Sequence, residues 1–250
     1  YVCSWLSFEY LKTTKEKKLF SHPITMAGFS LGEVSALAAA GVFSFEDGLR
    51  IVKERAEAMN ESSPKTPGGM CTVVGLDDTS IQNLCTEWKT KHSNDDKAVL
   101  EIANYLFPGG RAVSGDVEGI EWFEKNAKPA GAKLVKRTKV SGAFHTQRMS
   151  ECQDRLCAVL NKTTFTKPSN IKVIANFTGK EYETFDKNYV IDMLCKQVVS
   201  SVQWEKTLTH LLDVGTTENT FEVGTGGSSL ASMLKRIDMT IGKNVKIASD

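Results

Sequence analysis

A serine stands between two glycines in Gly28-Phe29-Ser30-Leu31-Gly32, where a short apolar run gives way to an Ala/Leu-rich stretch. In a strand–turn–helix context this spacing is a nucleophile elbow: the flanking glycines allow a sharp turn, and the serine hydroxyl is pushed out at the strand's carboxyl end. The N–H of Leu31, directly after the serine, is then a natural oxyanion donor at a helix N-terminus. The alternative is a glycine-rich strand–helix turn that carries an incidental serine. A serine hydroxyl also needs a base. The chain has four histidines: His22, His92, His145 and His210. His92 sits in a polar, loop-like stretch, His210 falls on a predicted helix, and His22 precedes the elbow strand. His145 follows a predicted strand in Val140-Ser-Gly-Ala-Phe-His-Thr146, at a strand-to-helix junction, where active sites gather in open α/β sheets. It is the best-placed base, against the plain reading of a structural histidine.

The segment after the elbow adds a charge. Ser44-Phe-Glu-Asp47 has capping-box spacing and opens a helix running to about Met59. At about 100° per residue, Leu49, Ile51, Val52, Ala56, Ala58 and Met59 share one face, and Arg55 falls near the middle of it. A guanidinium cannot lose its proton, so burying it without an anion costs several kcal/mol. Two readings stand: a structural ion pair with an Asp or Glu, or an anion that arrives with the substrate. An elbow serine with an inward arginine on the next helix suggests a serine acyl enzyme for carboxylated acyl groups.

Strands and helices alternate around these residues. The stretch from Met70 to Val140 reads β-α-β-β-α-β, the order of a ferredoxin-like unit. Its strands fall at Met70–Val74, Val99–Asn104, Arg111–Ser114 and Lys133–Val140, with helices at Thr79–Trp88 and Ile120–Lys128. Ser62 to Gly69 reads as a loop and a boundary. Beyond it, helices are expected at Gln147–Leu160, Tyr189–Gln197, Val202–Leu212 and Ser228–Arg236, with strands at Ile171–Asn176 and Phe221–Val223. The expected architecture is α/β: an α/β-hydrolase-like parallel-sheet core over 1–66 and 135–250, interrupted by a small ferredoxin-like (α+β) subdomain over 67–134.

Composition narrows the function classes. With 31 basic and 30 acidic residues the formal charge is +1, which argues against nucleic-acid binding by bulk electrostatics. The longest low-polarity run, Val34 to Phe43, is about half of what a membrane span needs. Six cysteines, at 3, 71, 85, 152, 157 and 195, show no zinc-ligand spacing and are expected to be reduced thiols. Asn60, Asn161 and Asn176 head N-x-S/T triplets, expected to be chance occurrences.

Taken together, these motifs resemble the malonyl-CoA:acyl-carrier-protein acyltransferases over nearly the whole chain. The resemblance rests on Ala27-Gly-Phe-Ser-Leu-Gly-Glu33, Lys53-Glu-Arg-Ala-Glu-Ala-Met59, Asn104-Tyr-Leu-Phe-Pro108, Val140-Ser-Gly-Ala-Phe-His-Thr146, Val202-Gln-Trp204 and Phe221-Glu-Val-Gly224. The Asn-Tyr-Leu-Phe-Pro and Ser-Gly-Ala-Phe-His forms are most similar to the mitochondrial branch in animals, which implies a mitochondrial address. The resemblance implies Ser30 as nucleophile, His145 as base, Gln197 as the residue whose main-chain carbonyl orients the histidine, and the Leu31 N–H as oxyanion donor. It makes Arg55 the clamp on the malonyl carboxylate, with Phe144 and Asn104 also binding substrate; the Ala143-Phe144-His145 form goes with malonyl over methylmalonyl selectivity. It implies no metal or redox cofactor, malonyl-CoA and acyl carrier protein as partners, and a monomer. Carrier proteins are generally acidic, so Lys133, Lys136, Arg137 and Lys139, or Lys235 and Arg236, are candidates for a landing surface, against the alternative of a solvated strand face.

The chain departs from the family at three points. Phe29 stands where His is usual, and Thr225 where Pro is usual. The family's N-terminal strand, with a Gly-Gln-Gly turn supplying a second oxyanion donor, has no counterpart, so a fragment or a misplaced start is expected, possessing an incomplete site. The rival functions are a serine hydrolase or thioesterase using the same elbow, and a catalytically inactive scaffold.

Overall fold

The computed structural model describes residues 1–13, 20–65, 67–92, 98–140, 142–214, 220–224 and 227–248. Helix α1 (Val2–Thr13) leads to strand β1 (Ile24–Met26), helix α2 (Leu31–Ala39) and helix α3 (Phe45–Lys65). A second unit follows: β2 (Gly68–Val74), α4 (Asp78–Lys91), β3 (Leu100–Phe107), β4 (Gly110–Asp116), α5 (Val117–Ala127) and β5 (Leu134–Thr138). The chain then passes through a 3₁₀ turn (Gln147–Met149) into α6 (Ser150–Asn161), β6 (Ile171–Ala175), β7 (Lys180–Glu181), α7 (Lys187–Val199) and α8 (Trp204–Val214). It closes with β8 (Phe221–Val223), α9 (Ser229–Leu234), α10 (Met239–Asn244) and β9 (Lys246–Ala248).

The first core forms because α2, α3, α6 and α7 each bury apolar residues: α2 packs on β6, α3 on α2 and α6, and α7 on α6, in one cluster. Leu37, Ile51, Leu156, Val173 and Leu194 meet there. Strand β6 lies between β1, parallel to it, and β7, antiparallel. The other parallel pair among the described residues, β8 with β9, forms its own two-stranded sheet. The expected continuous parallel sheet is therefore divided, with strands of three to five residues in each parallel pair.

The second unit has the βαββαβ order read from the sequence, folded into an antiparallel sheet of order β3-β4-β2-β5. Period-two alternation gives this sheet two apolar faces. Cys71, Val73, Ile102 and Val113 pack under α4 and α5. Met70, Ala103, Leu106 and Ala112 turn the other way and meet Phe29 and Phe144, so the sheet lies over the serine turn. The expected boundary at 134/135 falls inside β5, whose residues through Thr138 pair with β2; the sheet keeps that strand whole.

Other differences have local causes. The loop expected from Ser62 is helix as far as Lys65, with Ser62 and Ser63 buried and the Ser63 hydroxyl donating to the Met59 carbonyl. Helix α1 escaped the periodicity reading because it is apolar on every side: Phe8 and Leu11 are buried while Val2, Leu6 and Tyr10 are exposed. The cysteine expectation is corrected too. Cys157 on α6 and Cys195 on α7 form a disulfide across adjacent helices, 38 residues apart in sequence. The sequence shows no pairing signal because helix packing, and not spacing, brings them together. Cys3, Cys71, Cys85 and Cys152 are free.

Candidate active site

The serine turn begins where β1 ends. Ser30 sits at φ 53°, ψ −105°, a left-handed conformation that a non-glycine residue keeps only when its surroundings hold it. Asn176, just past β6, provides that hold. Its Oδ1 accepts from the Ser30 N–H at 2.6 Å, and its Nδ2 donates to the Gly28 carbonyl at 2.8 Å. Gly28 is sterically required, since a Cβ there would stand 1.9 Å from the Gly32 carbonyl oxygen. Gly32 is not: a Cβ at that position meets nothing within 4 Å. Only the first glycine thus serves the turn in the way the sequence pattern suggests. Leu31 opens α2, so its N–H has no acceptor within the helix and is free to face developing charge.

His145 reaches this turn from the segment after β5. Its Nε2 lies 2.8 Å from Ser30 Oγ and its Nδ1 2.9 Å from the Gln197 main-chain carbonyl on α7. A carbonyl only accepts, so Nδ1 carries the proton and Nε2 is left to take the serine's. Burial, and then the positive charge of Arg55, push the imidazole's pKa down to about 4, while the Gln197 carbonyl works in the opposite direction. The ring is therefore neutral near pH 7, as a general base must be. The other histidines stay away: His22 is exposed, His92 stacks on Trp88, and His210 pairs with Glu181.

Arg55 projects from α3 into the same place. It is 5% exposed, and its Nη2 donates to Ser30 Oγ at 2.8 Å. Among the described residues it forms no ion pair, and its Nε is buried without a hydrogen-bond partner. Burial lowers the guanidinium's pKa from its ordinary value, while charge at Cys152 and Glu33 acts the other way. Of the two readings open at the sequence level, the structural ion pair finds no acidic partner for Arg55 within bonding distance among the described residues. Glu33 is fully buried, but its oxygens are taken by other donors: Tyr182 Oη at 2.6 Å on Oε1, Gln197 Nε2 at 2.7 Å and the Asn176 N–H at 3.1 Å on Oε2. Burial raises its pKa to about 7 despite those bonds and the Arg55 charge.

Ser30, His145, Gln197 and Arg55 are thus brought together as expected. Phe144, next to His145, is half-buried and packs against both the helical core and the sheet face above it. Asn104 lies on β3, where it bridges to Val202, and its Oδ1 is buried without a partner; among the described residues no hydrogen bond links its side chain to Ser30, His145, Gln197 or Arg55. Phe29 packs edge-on against Trp204, and Thr225 lies outside the described residues. Of the basic candidates, Lys133, Lys136 and Lys139 are exposed on and beside edge strand β5, whereas Arg137 is engaged by Glu124 at 2.8 Å and Glu121 at 3.8 Å. Arg236 lies over the Phe107 ring. The sequence reading missed Glu33 and Tyr182 and took Asn176 as the end of a strand and the head of a sequon, with no role at the site; the sole hint was the placement of Glu33 in the elbow motif.

A neutral imidazole on a serine hydroxyl, beside a buried guanidinium without a counter-ion among the described residues, can form an acyl-serine whose acyl group bears a carboxylate. Comparison with known proteins runs in the same direction. Residues 20–223 match the acyl transferase domain family. The chain is 36% identical over 217 residues to a mouse protein named mitochondrial malonyl-CoA-acyl carrier protein transacylase, an alignment covering 85% of this chain and 56% of that one. The chain thus spans little more than half the length of that relative. Among solved structures, an acyl-carrier-protein S-malonyltransferase from Burkholderia pseudomallei superposes with a TM-score of 0.86 at 29% identity, covering 99% of this chain and 75% of that one. A malonyl-transacylase in complex with a type II PKS acyl-carrier protein gives a TM-score of 0.83 at 29% identity, covering 98% and 73%.

Proposed function

Because the chain belongs to the acyl transferase domain family, we propose that it moves the malonyl group of malonyl-CoA to the phosphopantetheine thiol of acyl carrier protein through a malonyl-Ser30 intermediate. The observation that carries this reading is the buried Arg55 guanidinium, without an ion pair among the described residues and in contact with Ser30 Oγ. His145 Nε2 takes the Ser30 proton as Oγ attacks the thioester carbon, and the tetrahedral oxyanion forms against the Leu31 N–H. The C–S bond breaks, and CoA leaves as the thiol with the proton from His145. The carrier's thiol then gives its proton to His145 and attacks the ester, and Ser30 Oγ leaves with that proton. The reaction so written uses no metal or redox cofactor.

The Gln197 carbonyl stands where a hydrolase triad would place a carboxylate. It fixes the ring but stabilises imidazolium less, which suits transfer to an activated thiol over attack by water. This weighs against the hydrolase reading. Within the same proposal, the antiparallel unit is a ferredoxin-like insertion in an α/β-hydrolase-like core, ending after β5. The carrier lands on the exposed Lys133, Lys136 and Lys139, the enzyme works as a monomer, and its address is mitochondrial, in keeping with the mouse relative's name. Phe144 and Asn104 are kept as substrate contacts. Transfer of labelled malonyl from malonyl-CoA to holo acyl carrier protein tests the reading: transfer by the wild type that disappears in Ser30→Ala supports it, and transfer that survives that change contradicts it.

A further inference from the structure

We propose that Glu33 is a positioning residue for acyl transfer: its buried carboxylate ties the end of β6, which holds the nucleophile turn, to the helix whose carbonyl orients His145. The inference rests on the acyl-enzyme reading above and concerns how Ser30 and His145 are kept in register.

The two catalytic side chains come from segments 115 residues apart, and each is held by a separate arm. Ser30 is held by Asn176, through its N–H and through the Gly28 carbonyl. His145 is held by the Gln197 carbonyl on α7. Glu33 joins these arms. Its Oε2 accepts from both the Asn176 N–H and Gln197 Nε2, and its Oε1 accepts from Tyr182 Oη. Gln197 Nε2 also donates to the Ser30 carbonyl at 2.9 Å, which closes the ring of contacts under the turn. A fully buried carboxylate without an ion pair among the described residues is costly, and an apolar side chain would fill the same space without that cost. What the carboxylate supplies and an apolar group does not is two acceptances that join the arms and a third, from Tyr182, that fixes the carboxylate. Ser30 is strained at φ 53° and His145 at φ 60°, so neither keeps its geometry unaided.

The test uses the rate at which Ser30 is labelled by a fluorophosphonate, read by intact mass, because this probe reports an activated serine whatever the natural acyl group. In Glu33→Ala, labelling is expected to slow by about tenfold or more, since small misplacement of reacting groups is costly. The half-saturating malonyl-CoA concentration should stay within about threefold, because Glu33 does not touch substrate. Glu33→Gln should restore labelling to within about threefold of wild type: its amide oxygen can accept from Gln197 and Asn176 while its NH₂ donates to the Tyr182 oxygen. Wild-type labelling in Glu33→Ala overturns the inference, and so does a Glu33→Gln as slow as the alanine variant. If Glu33→Ala does not fold, Gln197→Ala carries the test, because it removes the bridging amide and leaves the carbonyl. Slowed labelling there supports the inference, and an unchanged rate overturns it. A wild type that takes the probe but not malonyl from malonyl-CoA contradicts the proposed acyl donor, and leaves the labelling comparison to decide the role of Glu33.

Discussion

Replacing Arg55 by alanine should abolish the preference for malonyl-CoA over acetyl-CoA while leaving Ser30 able to react. The magnitude follows from the donors. Nη2 already bonds Ser30 Oγ, so a carboxylate that takes this donor exchanges one contact for another. Nε is buried without a partner, so its bond to a carboxylate is a net gain. One charge-assisted hydrogen bond contributes about 1.5–3 kcal/mol, or roughly 10- to 150-fold in relative kcat/KM. Acetyl-CoA is the internal control, because it shares every contact except the carboxylate. Both thioesters are assayed on wild type and Arg55→Ala by the initial rate of CoA release in the presence of holo acyl carrier protein. Arg55→Lys should recover only part of the preference, since a point charge lacks the planar fork that matches a carboxylate. A malonyl-to-acetyl ratio that stays within about twofold of wild type in a folded Arg55→Ala protein would rule out Arg55 as the carboxylate's partner.

Three further outcomes follow from the same geometry. The acylation rate should fall on acidification with a midpoint near pH 4, the depressed pKa of His145, and Arg55→Ala should move that limb upward by removing a charge that disfavours imidazolium; a rate profile against pH checks both. Gly28→Ala should destabilise the fold by about 3 kcal/mol or more through its clash with the Gly32 carbonyl. Gly32→Ala, meeting open space inside a helix, should be neutral or stabilising by about 0.5–1 kcal/mol; urea unfolding of the pair separates them. Glu33 is raised from an ordinary 4.5 to about 7, so its burial lowers stability increasingly as pH rises through that window. Glu33→Gln should therefore be more stable than wild type above pH 7, by on the order of 3 kcal/mol, and gain little below pH 4.5, as thermal melts across pH will show. His145 has the opposite sign: its depressed pKa costs stability as pH falls from about 6.5 to about 4.

How much of the site was legible depended on whether a residue's role is local. The Ser30 turn was readable because its strand, glycine and helix lie within a dozen residues. Arg55 was readable because a cation on the apolar side of one helix is conspicuous at a period of 3.6. His145 was readable only as the best placed of four histidines, and the role of Gln197 only by resemblance, since a main-chain carbonyl has no residue signature. Asn176 was not legible at all: it acts on Ser30 from 146 residues away, through an amide that could serve equally in a surface turn. Glu33 and Tyr182 bond across 149 residues, and Cys157 with Cys195 across two helices, so only packing reveals them. In the fold, the βαββαβ order was plain because strand and helix periods alternate cleanly there. Helix α1 was not, since apolar residues on all its sides give no face to read.

The decisive measurement for the role of Arg55 is a crystal structure of the protein with a malonyl group trapped on Ser30. The malonyl carboxylate is expected within about 2.7–2.9 Å of Arg55 Nε and a terminal guanidinium nitrogen, the spacing of a charge-assisted bidentate pair. A carboxylate turned to solvent or held by another residue, with Arg55 Nε still unpartnered, would contradict that role.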